Sequence, residues 1–200
     1  MFIHGGVSED NEVLNDSFLY SLNTQKWYNC SIDEESPLPK LCYHSSCLIL
    51  PGEQRFSPKL NIYKLSEIRQ ARKKISHPGI YLFGGKTNEE GDLSNEVWVL
   101  HLGKKPCEWY QPVIKGKPPE PRYAHSMNFY EEGNFIIIHG GRNDYSSESF
   151  ALCDTFALEL YTLEWIQIKV YSDSPLDIYK RCGHSAIIYC KLVFIYSLLT

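Results

Sequence analysis

Residues 122–165 read RYAHSMNFYEEGNFIIIHGGRNDYSSESFALCDTFALELYTLEW, and the order of landmarks in this stretch decides the fold. An Arg-x-x-His-Ser element opens an apolar run, and a second apolar run, FIIIHGG, closes on a glycine pair. A polar loop follows, then an alternating run and a tryptophan. Working outward, FIHGG at 2–6 and IYLFGG at 80–85 repeat the glycine-pair strand. The alternating run recurs at 15–22 and 95–102, aligning without a gap with 153–160. Phe18, Trp98 and Phe156 correspond, as do Tyr20, Leu100 and Leu158, then Leu22, Leu102 and Leu160. These positions are two apart, the spacing that places side chains on one face of a strand.

Five to seven residues beyond each alternating run stands Trp27, Trp109 or Trp165. The His-Ser element recurs as Lys40-Leu41-Cys42-Tyr43-His44-Ser45 and as Arg181-Cys182-Gly183-His184-Ser185. Trp109 and Trp165 are 56 residues apart, and His125 and His184 are 59 apart. One period holds four short strands with turns between them. Such a unit cannot bury both faces alone, and neighbouring sheets stacked around an axis supply the missing cover.

This ordered set of landmarks resembles the kelch repeat, whose period is about 50 residues. The resemblance covers nearly all of the chain except 51–78. It implies an all-β fold, a partial kelch-type β-propeller of about three four-stranded blades. Two blades are complete and fragments stand at both ends. The units are approximately 1–30, 40–113, 121–170 and an incomplete 180–200, within one domain spanning 1–200. Gly5, Gly6, Gly84, Gly85, Gly140 and Gly141 are expected where positive φ and close backbone approach are needed. Trp27, Trp109 and Trp165 are expected to fill the space between blades, each indole N–H needing a partner. The resemblance further implies structural roles for Arg122, His125, Arg181 and His184, as polar groups between sheets that must be hydrogen-bonded. The first His-Ser element departs from the pattern, with Leu41 where arginine is expected, which puts that blade's polar tie in doubt.

Two further departures stand out. Aligned on His184, Leu199 and Thr200 fall where Gly140 and Gly141 stand in the preceding copy. Propellers have about four to eight blades, so the chain is expected to be part of a longer propeller, or else to close by self-association. The second departure is an insertion at 51–78: His44 to Gly84 is 40 residues, against 15 from His125 to Gly140. The insertion is basic, with Arg69, Arg72, Lys73 and Lys74 in a stretch whose apolar residues fall partly at helical spacing. Its ordinary reading is a solvated loop, and its functional reading is a docking segment for an acidic partner.

Chemistry is harder to find. Seven histidines occur, but five of them (His4, His44, His125, His139 and His184) are repeat positions, and no mixed ligand set stands at short spacing. The seven cysteines form no CxxC and fit no zinc framework, so reduced thiols in a reducing compartment are expected. No nucleophile-elbow, Walker or HExxH signature appears, and the acidic loops after the glycine pairs, Asn143-Asp144 among them, read as solvated turns. A net charge of −4 lowers the expectation of nucleic-acid binding. The apolar tail LVFIYSLL falls short of the roughly 20 residues that span a bilayer. Neither catalysis, cofactor nor metal is expected, although some kelch-like propellers are oxidases and fold does not decide function.

The expectation is a non-catalytic scaffold or adaptor in the cytoplasm or nucleus, binding a protein partner through the loops 7–14, 86–94 and 142–150 and the insertion. Lys86 and Arg142 join Arg69, Arg72, Lys73 and Lys74 as candidate partner-binding residues. The alternative is a regulatory or targeting domain of a larger enzyme, such as a kelch-containing phosphatase.

Overall fold

A computed structural model of the protein describes residues 1–50, 77–88, 90–145, 150–169, 180–190 and 192–196. They form four antiparallel sheets in which each strand pairs with its neighbours in sequence. The first sheet holds β1 (Phe2–Val7), β2 (Val13–Ser21) and β3 (Lys26–Asn29). The second holds β4 (Ser45–Ile49), β5 (Gly79–Phe83), β6 (Val97–His101) and β7 (Glu108–Tyr110). The third holds β8 (Ser126–Tyr130), β9 (Phe135–His139), β10 (Thr155–Glu159) and β11 (Glu164–Ile168), with a 3-10 turn at Glu131–Gly133 between its first two strands. The fourth is the pair β12 (Ser185–Tyr189) and β13 (Leu192–Tyr196). This is a partial kelch-type β-propeller whose sheets do not close into a ring, and each sheet is called a blade below.

Alternation explains why the blades stack. In β5 every residue is buried, because its two faces belong to different cores. Ile80 and Leu82 pack with Leu41, Leu100 and Trp109 toward the first blade. Tyr81 and Phe83 pack with Val97, Val99, Ile136, Ile138, Leu158 and Trp165 toward the third. A period of two therefore loads both faces of a strand held between neighbours. The strands that open on His-Ser are the innermost, β4 lying against β8 and β8 against β12.

The outer strands have a repeated support as well. The linker leaving the first blade runs parallel to β7, pairing Ile32 with Cys107, and the linker leaving the second runs parallel to β11, pairing Lys115 with Glu164. Backbone groups that would be unpaired at a sheet edge are satisfied this way.

Among the described residues, apolar side chains on the outward faces of the end blades are exposed. Leu22 is 79% exposed, whereas its counterpart Leu160 is 1% exposed. At the far end Ile187, Tyr189, Leu192 and Phe194 are exposed.

Candidate interaction surface

The frame beneath the surface is a backbone tie made three times. Gly6, Gly85 and Gly141 donate N–H to the carbonyls of Leu41, Arg122 and Arg181 at 2.9, 2.8 and 2.9 Å. Each tie joins one blade's glycine pair to the chain entering the next blade. The glycine before each donor has φ between +58° and +66°. A Cβ on Gly84 would stand 2.5 Å from the Arg122 carbonyl oxygen, and one on Gly140 would stand 2.7 Å from that of Arg181. The first glycine of each pair is thus excluded from carrying a side chain by the contact the second one makes. Because the tie uses backbone, Leu41 makes it as well as arginine does.

A second repeated feature is invisible in the letters. Tyr43, Ala124 and Gly183, each immediately before a His-Ser histidine, all adopt left-handed backbone with φ of 54°, 53° and 63°. Ala124 N–H donates to the Tyr43 carbonyl, and Gly183 N–H to the Ala124 carbonyl, at 2.9 and 2.8 Å. These bonds run from blade to blade and hold the unfavourable conformation in place.

Side chains then fill the junctions. Trp109 packs on His4, with ring centroids 4.8 Å apart, and Trp165 packs on Phe83 at 5.3 Å. Each tryptophan reaches back to the residue preceding the glycine pair of the blade before. Trp27 has no such blade ahead of it among the described residues and is 48% exposed. The Trp109 indole N–H, expected to need a partner, has none among the described residues.

Arg122 is fully buried, with its guanidinium held by both carboxylate oxygens of Asp154, at 2.5 and 2.8 Å, and by the Gly140 carbonyl at 3.0 Å. His184 Nε2 lies 2.9 Å from Ser126 Oγ. Neither ring nitrogen of His125 has a partner among the described residues, although the ring packs edge-on against Phe83 at 5.3 Å. Burial pushes the His125 imidazole down to about 3, helped by the Arg122 charge. Burial likewise lowers His44 and His184 to about 4 each. All three are neutral packing groups at neutral pH.

The register also exposes a pairing that the strings conceal. His4 stands opposite Ser17 and His139 opposite Thr155, and each imidazole Nδ1 is 2.8 Å from the facing hydroxyl. At the same place in the second blade stand Phe83 and Val97, both apolar.

Above this frame the loops carry a polar and aromatic cluster between the second and third blades. Lys86, next after Gly85, sets its ammonium 4.3 Å from the Tyr123 ring centroid. Tyr123 hydroxyl donates to Asp144 Oδ2 at 2.9 Å, and the Lys86 ammonium stands 3.8 Å from the same oxygen. Arg142, next after Gly141, donates from Nε to Asp144 Oδ1 and lies over the Phe150 ring at 5.5 Å. Burial works against the Asp144 charge, but hydrogen bonds from Arg142 and Tyr123 prevail and lower its pKa. Burial and the Asp144 hydrogen bond push Tyr123 up to about 12. Tyr43, Tyr145 and Phe150 are 58%, 67% and 60% exposed beside it. Two cations share one carboxylate, so the cluster carries a net positive charge together with exposed aromatic area.

Lys86 and Arg142 thus come together through Asp144, which the sequence presents only as a turn residue. Tyr123 and Tyr43 went unnoticed in the sequence; their signal was position, flanking the His-Ser histidine. Arg69, Arg72, Lys73 and Lys74 lie outside the described residues, as does the helical spacing of the insertion. All seven cysteines are free thiols, and burial raises Cys47 to about 12. Among the described residues no three His, Cys, Asp or Glu side chains cluster as a metal site, and no helix is long and apolar enough to cross a membrane.

Comparison with known proteins agrees with this architecture. Residues 74–197 match the KLHDC2/KLHL20/DRC7 Kelch-repeats domain, and the chain belongs to the kelch-repeat family. It is 28% identical over 96 residues to dynein regulatory complex subunit 7 of Chlamydomonas reinhardtii, covering 48% of this chain and 8% of that protein. It is 25% identical over 237 residues to human host cell factor 2, covering 98% of this chain and 29% of the relative. With the Rab9 effector protein with kelch motifs of Xenopus laevis it shares 30% identity over 110 residues, 54% of this chain and 28% of the other. The chain therefore spans less than a third of the length of each of these relatives.

Proposed function

We propose that this chain is a non-catalytic protein-interaction module, and that a protein partner docks on the rim formed by Lys86, Tyr123, Arg142, Tyr145 and Phe150. The observation that carries the reading is the cluster itself: exposed aromatics and two cations on loops anchored by backbone ties between blades. Rigid aromatic and arginine side chains give contact area at low entropic cost, which suits recognition of a protein. The net positive charge favours an acidic partner segment. Its relatives include a protein named as a Rab9 effector, which is in keeping with a binding role.

The test is affinity capture with the parent chain and a Tyr145→Ala/Phe150→Ala variant, with thermal midpoints measured alongside. Both side chains are exposed, so the variant should fold as the parent does. A partner retained by the parent and lost, by about tenfold or more in affinity, from the variant is the expected result. The same partners held equally by both would overturn the rim assignment.

A second reading, a regulatory or targeting domain of a larger enzyme, is favoured by one observation, the small share of each relative that the chain spans. Locating the chain within its full-length transcript tests that reading.

A further inference from the structure

Two cysteines meet where the linker leaving the first blade runs beside the outer strand of the second. Cys30 follows β3 and is fixed to the first blade, its N–H donating to the Ser17 carbonyl at 2.9 Å. Cys107 immediately precedes β7 in the second blade. Cys107 N–H donates to the carbonyl of Ser31, the residue next after Cys30, and the Cys107 carbonyl accepts Asp33 N–H, each at 2.8 Å. Both side chains are half-buried and pack on the core that holds Leu41, Leu100 and Trp109. The two thiols are in contact: burial and then the neighbouring Cys107 thiol push the Cys30 thiol up to about 11.

The next junction shows that the repeat does not require sulfur here. Lys115 N–H donates to the Leu163 carbonyl at 2.7 Å, as Asp33 N–H does to that of Cys107. Leu163 stands two residues before Trp165, as Cys107 stands before Trp109, and Pro112 stands three after Trp109, as Cys30 does after Trp27. Proline and leucine thus take the places in the second junction that two cysteines take in the first. As packing groups, thiols and small apolar side chains serve alike; only the cysteines add a reaction.

We infer that Cys30 and Cys107 form an oxidative modification site, closing to an intramolecular disulfide that locks the first blade to the second. One thiolate attacks a small disulfide, oxidised glutathione, and expels one glutathione thiolate; the other then attacks the mixed disulfide and expels the second. The protein S–S bond forms as the glutathione S–S bond breaks. The two cysteines give up two electrons and two protons, and the two released glutathiones take them up. The bond joins positions 77 apart in the sequence, and closing so long a loop restricts the unfolded chain, so oxidation should stabilise the fold. The site is separate from the rim cluster and does not rest on that proposal.

The test incubates the full chain with oxidised glutathione in mildly alkaline buffer, where the raised thiol pKa leaves more thiolate to react. Cross-linked peptides are identified by mass spectrometry without reduction, and thermal midpoints are measured before and after added dithiothreitol. The expected product is a Cys30–Cys107 disulfide at least about tenfold more abundant than any other cysteine pairing, because cysteines already in contact bridge without moving the backbone. The midpoint should rise by about 5 °C or more and fall back on reduction. Cys107→Ser should carry a glutathione adduct on Cys30 and show no such rise. Separate glutathione adducts on Cys30 and Cys107 with no bond between them, other pairings in equal amount, or a bond that leaves the midpoint within about 1 °C would each overturn the assignment. The cross-link and its reversal are read on the parent chain, so they stand however the variant folds.

Discussion

The second and third blades have the same four strands in the same register, yet they are held together by different chemistry. The third places a buried guanidinium against Asp154 and sets His139 against Thr155. The second has Leu41, Phe83 and Val97 at the matching places and satisfies the space with apolar packing alone. Both fold because the contact common to all blades, glycine N–H to the entering carbonyl, needs no particular side chain there. The lesson is that the kelch pattern contains two layers: a backbone tie that each junction needs, and a side-chain layer that can be polar or apolar provided all partners change together. Changing one partner alone leaves a buried group unpaired, which costs far more than either complete solution.

Acid should have the largest effect. Burial lowers the pKa values of His4, His44, His125 and His184 in the folded chain, against about 6.5 when unfolded. The unfolded state therefore binds more protons below pH 6.5, so stability is fully present above that value. It is lost as pH falls toward 4, by up to about 1.4 kcal/mol per pH unit for each of His44, His125 and His184. Urea midpoints measured from pH 8 to pH 5 should be flat above 7 and fall steeply below 6.5. A His4→Phe/Ser17→Val variant, which copies the Phe83–Val97 solution into the first blade, should make that fall shallower. A midpoint unchanged down to pH 5 would contradict the neutral, buried state of these rings.

Next comes Arg122→Leu, which imposes the second blade's residue on the third without its companions. Stripping a buried cation from Asp154 should cost about 3–5 kcal/mol by equilibrium unfolding. Adding Asp154→Asn should recover part of that loss. A cost below about 1 kcal/mol would place the pair among exposed ion pairs and erase the contrast between the blades.

The smallest effect tests the left-handed position before each histidine. Nothing lies within 4 Å of a Cβ added at Gly183, so Gly183→Ala probes conformation alone and should cost about 1 kcal/mol. Ala124→Gly, where the strain is already present, should bring no comparable loss. Equal losses at the two positions would show that backbone strain is not what distinguishes them.

Much of this was legible in the letters. The glycine pairs, the two-residue alternation and the returning tryptophans pointed to stacked four-stranded sheets because local patterns report which face of a strand is buried. What the letters could not show were pairings between distant positions. His139 and Thr155 are 16 residues apart and look unrelated until the register sets them opposite each other. Asp144 looked like a solvated turn because Lys86, which shares it, comes from another blade. Ala124 gave no sign of a positive φ, since only its counterpart Gly183 is the residue type that announces one.

By itself, then, the sequence determined the all-β repeat, its period, the glycine pairs and the place where Leu41 breaks the pattern, because each is a local spacing or a local steric need. The tertiary structure decided the rest: which carboxylate meets which cation, which tryptophan is covered, and that Glu96, lacking an arginine, takes the Trp98 indole N–H. Those outcomes depend on the stacking of one blade on the next, and the energy of a buried charge or ring is set by the neighbour across that junction rather than by its own place in the chain.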